Sequence, residues 1–393
     1  MAGFKIREEM NGIQEAPGKV WFWELDEAVI AADRCIQCGA CVAVCPSDSI
    51  AVGGDGLPVL AKMCTGCSLC WDFCPRGGLR HEATWKLTGA DGGGLAAVEE
   101  RWSARALPWV DGAQDGGVVS AILIALLEAG ELDGVLLARE SATERWKGEA
   151  FVARTPAEVV ACAGSFYNQT MALANLNLKG LDLPPAPRLA VVGTPCEVEG
   201  LAAMQAQPWF RGSSTGVDAV VLTIALLCTK SFNYDKLMVG ELQRRRGIPL
   251  EAIGRVDVIR GKLIVQDHGG QTLLEEPIRD FHGAALKGCD ECSDFLGNAA
   301  DLSVGSVGSP DGWSSLLVRS IAGKVAVEHA RAVLELAELE RPAALEKLDA
   351  LDKKVAFQHL ERRFDPDAPL FVDFAEHLEA YAASERAPVA RGR

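Results

Sequence analysis

The chemistry written most plainly into this chain is sulfur. Two runs repeat one spacing, Cys35-x-x-Cys38-x-x-Cys41-x-x-x-Cys45-Pro46 and Cys64-x-x-Cys67-x-x-Cys70-x-x-x-Cys74-Pro75. Three thiolates at this spacing wrap one face of a cubane iron–sulfur cluster, while the fourth, after a longer gap and followed by proline, reaches the other cluster. The spacing therefore predicts two [4Fe-4S] clusters with crossed ligands. Cys35, Cys38, Cys41 and Cys74 hold one, and Cys64, Cys67, Cys70 and Cys45 hold the other. Four cysteines also bind a tetrahedral zinc, but zinc motifs rarely place a third cysteine inside the knuckle or repeat the Cys-Pro ending, so the tandem pattern reads as iron–sulfur.

Thirteen cysteines less these eight leave Cys162, Cys196, Cys228, Cys289 and Cys292. Cys196 and Cys228 each lie just past a predicted buried strand, and Cys289-Asp290-Glu291-Cys292 is a chelating pair in a loop. The carboxyl ends of parallel strands share one edge, the usual place for ligands, so four sulfurs could converge there. On spacing alone a third [4Fe-4S] cluster, a four-cysteine zinc site and buried structural thiols all remain open. Cys162, on an apolar helix, reads as a small core residue.

The elements that must carry these sulfurs follow from punctuation and periodicity. Trp21-Phe22-Trp23 and a short helix from Glu24 to Ile30 lead in, with the aromatics expected to shield a cluster from water. Ser49–Val52 and Pro58–Leu60 flank a Gly53–Gly56 turn, a small strand pair between the cysteine runs. Gly89 to Gly94 is the clearest composition shift and reads as a flexible linker. Beyond it Val118 to Ala129 has helical spacing, Gly134–Ala138 is a strand, and Thr155-Pro156-Ala157-Glu158 starts a helix. Arg188–Val192 and Val217–Leu227 are buried strands, with a helix from Tyr234 to Arg246. Short strands over Ile253–Leu274 read as an antiparallel insertion, and Ala322–Leu351 has helical spacing. The expected fold is α/β, a mixed but largely parallel sheet flanked by helices, behind a ferredoxin-like domain. The expected domains are 1–90 with two clusters, 91–320 with the sheet, and 321–393 as a C-terminal helical extension.

With 393 residues the chain is long enough for two or three domains, and its net charge of −15 argues against nucleic acid as the main partner. No signal peptide precedes the cysteines, and thiolate ligands must stay reduced, which points to the cytoplasm. The longest apolar runs, Val118–Leu127 and Ala219–Cys228, are about half the ~20 residues a membrane span needs. A peripheral position on the inner face of the membrane, through a partner complex, is compatible with this.

Six ordered motifs then carry a resemblance: Gln114-Asp115-Gly116-Gly117-Val118-Val119, Ser165-x-Tyr167, Gly193-Thr194-Pro195-Cys196, Cys289-x-x-Cys292-x-Asp294-Phe295, Ala300–Gly305 and Arg319. From about residue 35 to residue 340 the chain resembles the coenzyme F420 hydrogenase/dehydrogenase beta-subunit family. With its tandem cluster module it looks most like the F420H2 dehydrogenase input subunit and the beta subunits of F420-reducing formate dehydrogenases. The resemblance implies FAD in the α/β domain, with Gly116, Gly117, Val118, Ser165, Tyr167, Gly193 and Thr194 beside it. It also implies a third [4Fe-4S] cluster on Cys196, Cys228, Cys289 and Cys292. Where the family pattern commonly has Lys and Gln, this chain has Phe166 and Glu197.

Electron counting gives these cofactors an order. A deazaflavin or nicotinamide donor gives up two electrons as hydride and each cubane takes one, so a flavin belongs between substrate and clusters. Hydride transfer depends on placement more than on an acid or base, and no catalytic side chain is assigned. The expected activity is F420H2 oxidation or F420 reduction, with single electrons passed to or from a redox partner subunit. Formate dehydrogenase, hydrogenase, heterodisulfide reductase and membrane dehydrogenase complexes are the partner classes implied. The alternatives are a ferredoxin-dependent tetrapyrrole reductase of the same family and a purely electron-transferring subunit.

Overall fold

A computed structural model describes residues 21–67, 69–76, 94–178, 180–205 and 216–360. The helix Phe22–Leu25, prolonged by a wider turn over Asp26–Ile30, leads into the first cysteine run. Between the runs β1 (Ile50–Val52) and β2 (Pro58–Leu60) pair antiparallel. The glycine-rich stretch expected as a linker, and the expected boundary near residue 90, lie outside the described residues apart from Gly94.

The body of the protein is one large sheet. Its strands are β3 (Glu100–Ala106), β4 (Gly134–Glu140), β5 (Gly148–Ala153), β6 (Leu189–Gly193) and β7 (Val220–Leu226). A separate three-stranded antiparallel sheet follows, made of β8 (Ile253–Ile259), β9 (Lys262–Asp267) and β10 (Thr272–Pro277). The chain then returns to the large sheet as β11 (Leu302–Gly305), β12 (Ser314–Val318) and β13 (Leu334–Glu338). The order across the large sheet is β13-β3-β12-β11-β7-β6-β4-β5.

Only the centre of this sheet is parallel. β4, β6, β7 and β11 run together, while β5 at one side and β12, β3 and β13 at the other join antiparallel. The sheet is therefore mixed, with more antiparallel than parallel pairings, and the largely parallel sheet expected from the strand–helix alternation is corrected. The short connections 141–147 and 306–313 are the reason, since a parallel crossover needs a dozen or more residues. Two smaller corrections accompany it. The stretch Gly216–Ala219 is a 3-10 turn, so the strand starts at Val220 rather than Val217. The segment expected as a C-terminal helical extension contains β13, which pairs with β3, between the helices Ile321–His329 and Pro342–Leu360. The sheet thus takes in a strand that ends at residue 338.

Each face of the sheet buries a different set of side chains. Along β4, Val135 and Leu137 enter the core formed with the helices Val118–Glu128 and Ile321–His329. Leu136 points the other way, as the period of two requires. There it joins Val152, Leu189, Val191 and Val220 in a core shared with Leu201 and Met204 of the helix Pro195–Gln205 and with Phe22, Leu25, Ile36 and Phe73 of the cysteine module. The module is thus built onto the sheet. Met171 N and Leu173 N donate to the Gln37 and Cys38 carbonyls at 3.1 Å. Among the described residues no helix is long and apolar enough to cross a membrane.

Candidate functional site

Cys35, Cys38, Cys41 and Cys74 line one cavity, and Cys45, Cys64, Cys67 and Cys70 line a second. Each run's fourth cysteine stands with the other run's first three. The backbone explains the grouping. Gln37 and Gly66, each two residues into its run, are left-handed (φ 52° and 66°) and donate N–H to Cys35 Sγ and Cys64 Sγ at 3.4 Å. Each triplet curls round one point in this way, and the helices Ala40–Ala43 and Leu69–Asp72 carry the fourth cysteine on to the neighbouring cavity. Trp21 lies against Gly66, and Phe22 is buried, while Trp23, stacked on Trp21, stays half exposed. Only the first two aromatics shield the sulfurs.

Burial pushes the Cys35 thiol up to about 12 and raises Cys38, Cys41 and Cys70 as well. Thiols so desolvated ionise only where a bound cation compensates. Among the described residues no three Cys, His, Asp or Glu side chains converge at the spacing of a single metal ion.

The remaining sulfurs meet at the carboxyl edge of the central strands. Cys196 lies in the first turn of the helix after β6, Cys228 just beyond β7, and Cys289 and Cys292 come from the turn at Lys287–Glu291. Cys228 is raised by burial and then by Cys289 and Cys292, and Cys196 by burial and then by Cys292. Ser231 N donates to Cys289 Sγ at 3.4 Å. Gln169 Nε2 donates to Thr194 Oγ1 (3.0 Å) and Ser231 Oγ (3.2 Å), and Thr194 Oγ1 stands 3.2 Å from Cys196 Sγ. Cys162 is apart from all of these, in the core beneath the helix Val118–Glu128.

The three sets stand in series. Cys41 is raised by Cys70 as well as by its own set, and Cys38 by Glu197, the neighbour of Cys196. The Cys45/Cys64/Cys67/Cys70 set is outermost, with Cys67 exposed. Between the inner module set and the sheet-edge set lies Arg76, which is 2% exposed and whose Nε donates to the Gly288 carbonyl at 2.6 Å. Beside it Arg34 grips the Glu291 carboxylate with two bonds of 2.8 Å.

The residues expected to line a flavin fall into two groups. Gly116, Gly117 and Val118 make the turn into the helix Val118–Glu128, where Gly117 is left-handed (φ 67°) and no side chain caps the helix. The first-turn N–H groups thus have no side-chain cap. Gly116 has a different reason to be glycine, because a Cβ there would stand 2.5 Å from the Ala104 carbonyl oxygen. Its smallness lets the turn pack against β3 and Ser314. Tyr167 reaches the same region, accepting from Val258 N at 3.1 Å. Asp115 is raised to about 6 by burial and by Asp257, against the pull of Arg255. Arg255 also donates to the Gln114 carbonyl at 2.7 Å, tying β8 to the glycine turn.

Gly193 and Thr194 form the second group and face Cys196. A Cβ on Gly193 would stand 2.8 Å from Glu197 Oε2, which accepts from Thr194 N. Burial raises Glu197 to about 7. The segment from the half-buried Ser165 to Gln169 connects the two groups, Tyr167 bonding towards β8 and Gln169 towards Thr194.

Arg76, Gln169, Arg255 and Asp257 were not singled out by the sequence. Arg76 had one signal, since the two cysteine runs match through Cys-Pro and then diverge, Ser47 in the first and Arg76 in the second. Arg255 and Asp257 had none, because their contact with the glycine turn joins segments remote in sequence.

Comparison with known proteins adds an independent line. The profile for the C terminus of the coenzyme F420 hydrogenase/dehydrogenase beta subunit matches residues 186–342, and the corresponding N-terminal profile matches 102–177. A 4Fe-4S dicluster domain profile matches residues 28–80. The beta subunit of coenzyme F420 hydrogenase from Methanothermobacter thermautotrophicus is 32% identical over 65% of this chain and 91% of its own. The F subunit of F420H2 dehydrogenase from Methanosarcina mazei is 29% identical over 85% of this chain and 93% of its own. Coenzyme F420-dependent sulfite reductase of Methanocaldococcus jannaschii is 30% identical over 87% of this chain, which spans about half (52%) of that relative's length. A chain of the F420-reducing [NiFe] hydrogenase complex from Methanosarcina barkeri superposes with a TM-score of 0.62 at 26% identity, covering 68% of this chain and 92% of that one.

Proposed function

The chain belongs to the coenzyme F420 hydrogenase/dehydrogenase beta-subunit family, and on that premise we propose an iron–sulfur flavoprotein oxidoreductase that exchanges hydride with coenzyme F420 at FAD. Single electrons then pass through three [4Fe-4S] clusters to or from a redox partner subunit. The observation that carries this reading is the series of three four-cysteine sets, running from the exposed Cys67 to the sheet edge. An iron–sulfur oxidoreductase fits a dicluster domain joined to a family whose members are named as F420-dependent redox proteins.

In this reading Cys35, Cys38, Cys41 and Cys74 hold the inner module cluster, Cys45, Cys64, Cys67 and Cys70 the outer one, and Cys196, Cys228, Cys289 and Cys292 the third. Gly116, Gly117, Val118, Ser165, Tyr167, Gly193 and Thr194 line the flavin. When bound, FAD supplies the conversion between a hydride's electron pair and single electrons. The chain's own groups do the positioning. Backbone N–H groups of Gln37, Gly66, Ser49 and Ser231 donate to cysteine sulfurs, which sets ligand orientation and favours the reduced clusters. The Arg255 bonds hold the glycine turn against β8.

Anaerobically purified protein titrated with F420H2 tests this. Bleaching of a flavin band together with cluster reduction is the expected result. Absence of both overturns the reading, and reduction by reduced ferredoxin but not by F420H2 transfers it to the tetrapyrrole-reductase class.

A further inference from the structure

The second cysteine run departs from the first at a single telling place. After Cys45-Pro46 comes Ser47, whose hydroxyl turns back on its own module, 3.6 Å from Cys45 Sγ and 2.7 Å from Ser49 Oγ. After Cys74-Pro75 comes Arg76, which turns away from the module and into the body of the protein. Its Nε reaches the carbonyl of Gly288, the residue before Cys289, and its Nη1 donates to the Pro75 carbonyl at 3.1 Å. Gly288 is pressed onto the module as well, for a Cβ there would stand 2.1 Å from the Arg34 carbonyl oxygen. The guanidinium is thus fixed between Cys74 on one side and Cys289 on the other, out of water. Its charge therefore stands two residues from the ligand Cys74 and against the carbonyl that precedes the ligand Cys289. An arginine keeps this charge at any working pH.

We propose that Arg76 is a positioning charge shared by the inner module cluster and the sheet-edge cluster, raising the reduction potential of both while leaving the outer cluster untouched. This rests on the cluster assignment given above. A cation in a desolvated site favours the more negative, reduced state of each neighbouring cluster. Raising both together keeps the gap between them small. The outer cluster has Ser47 at the matching position, which carries no charge.

The test is a potentiometric titration of the full chain with its clusters, followed by electron paramagnetic resonance. A Cys67→Ser variant identifies the outer cluster's signal. Wild-type protein with far fewer than about twelve irons, or without three cluster signals, would refute the underlying assignment rather than the role of Arg76. With the clusters present, Arg76→Gln is expected to raise the oxidised-to-reduced ratio of the two inner clusters about tenfold at fixed potential, about 59 mV for one electron. The outer cluster should not move, and Arg76→Lys should keep the wild-type values. Unchanged inner midpoints, or an equal fall in all three, overturns the proposal. Should Arg76→Gln fail to assemble, Arg76→Met removes the same charge while keeping an unbranched stem and must lower the same two midpoints; unchanged inner midpoints, or movement of the outer cluster, overturns the proposal equally.

Discussion

At the scale of single residues, the carboxylates around the sheet-edge sulfurs sit at an electrostatic cost. Asp352, on the helix Pro342–Leu360, is raised to about 8 by burial, with Asp349 and Asp294 adding to it and Lys230 opposing. Its Oδ2 is buried without a hydrogen-bond partner among the described residues. The folded chain keeps this proton up to about pH 8, whereas the unfolded chain loses it near the ordinary carboxylate range. Stability therefore falls as pH rises between about 4 and 8 and levels off above. Asp352→Asn should melt above the wild type at about pH 8, with the margin narrowing steadily towards about pH 5; a pH-independent margin would contradict the burial argument. The residue scale is also where the sequence was most and least legible. Cysteine spacing is a covalent property and reads directly, so each triplet and its crossed partner could be named. Arg76 could not be read as a residue between two sulfur sets, because that depends on which loop faces it after folding.

Among the elements, those with local punctuation were the readable ones. The helix Pro156–Ala161 is bracketed by a reciprocal cap, Thr155 Oγ1 accepting from Glu158 N at 3.2 Å and the Glu158 carboxylate accepting from Thr155 N at 3.1 Å. Thr155→Ala should cost about 1 kcal/mol of unfolding free energy in chemical denaturation, and an effect below a few tenths would show that packing alone holds this helix. β13 was hidden for the opposite reason. Only Leu334-Glu335-Leu336 alternates before Ala337 breaks the period, the segment lies inside a stretch whose Ala, Leu and Glu content favours helix, and its partner β3 is remote in sequence. Strand direction stayed out of reach as well, because β5 and β12, the strands that the short connections 141–147 and 306–313 lead into, were not among the expected ones.

For the whole molecule, the decisive feature is how the cysteine module joins the sheet. Lys287 pairs with Asp33 at 3.2 Å, Arg34 with Glu291, and Arg76 with the Gly288 carbonyl, three links along one seam. Gly288→Ala would wedge a methyl group into that seam at a cost of about 1–3 kcal/mol. The amides of Met171 and Leu173, bonded across the same interface, should then exchange hydrogen faster than in the wild type. Unaltered protection at both would mean that the seam accommodates the methyl group without opening. The shared core behind the seam also governs how the protein can be made. A body without its cysteine module would uncover the apolar side of the helix Pro195–Gln205 and of the turn Ala172–Asn177, Leu173 and Leu201 among its residues, the kind of surface that draws copies into aggregates. A shortened chain lacking the module is therefore expected to come out of expression as insoluble material.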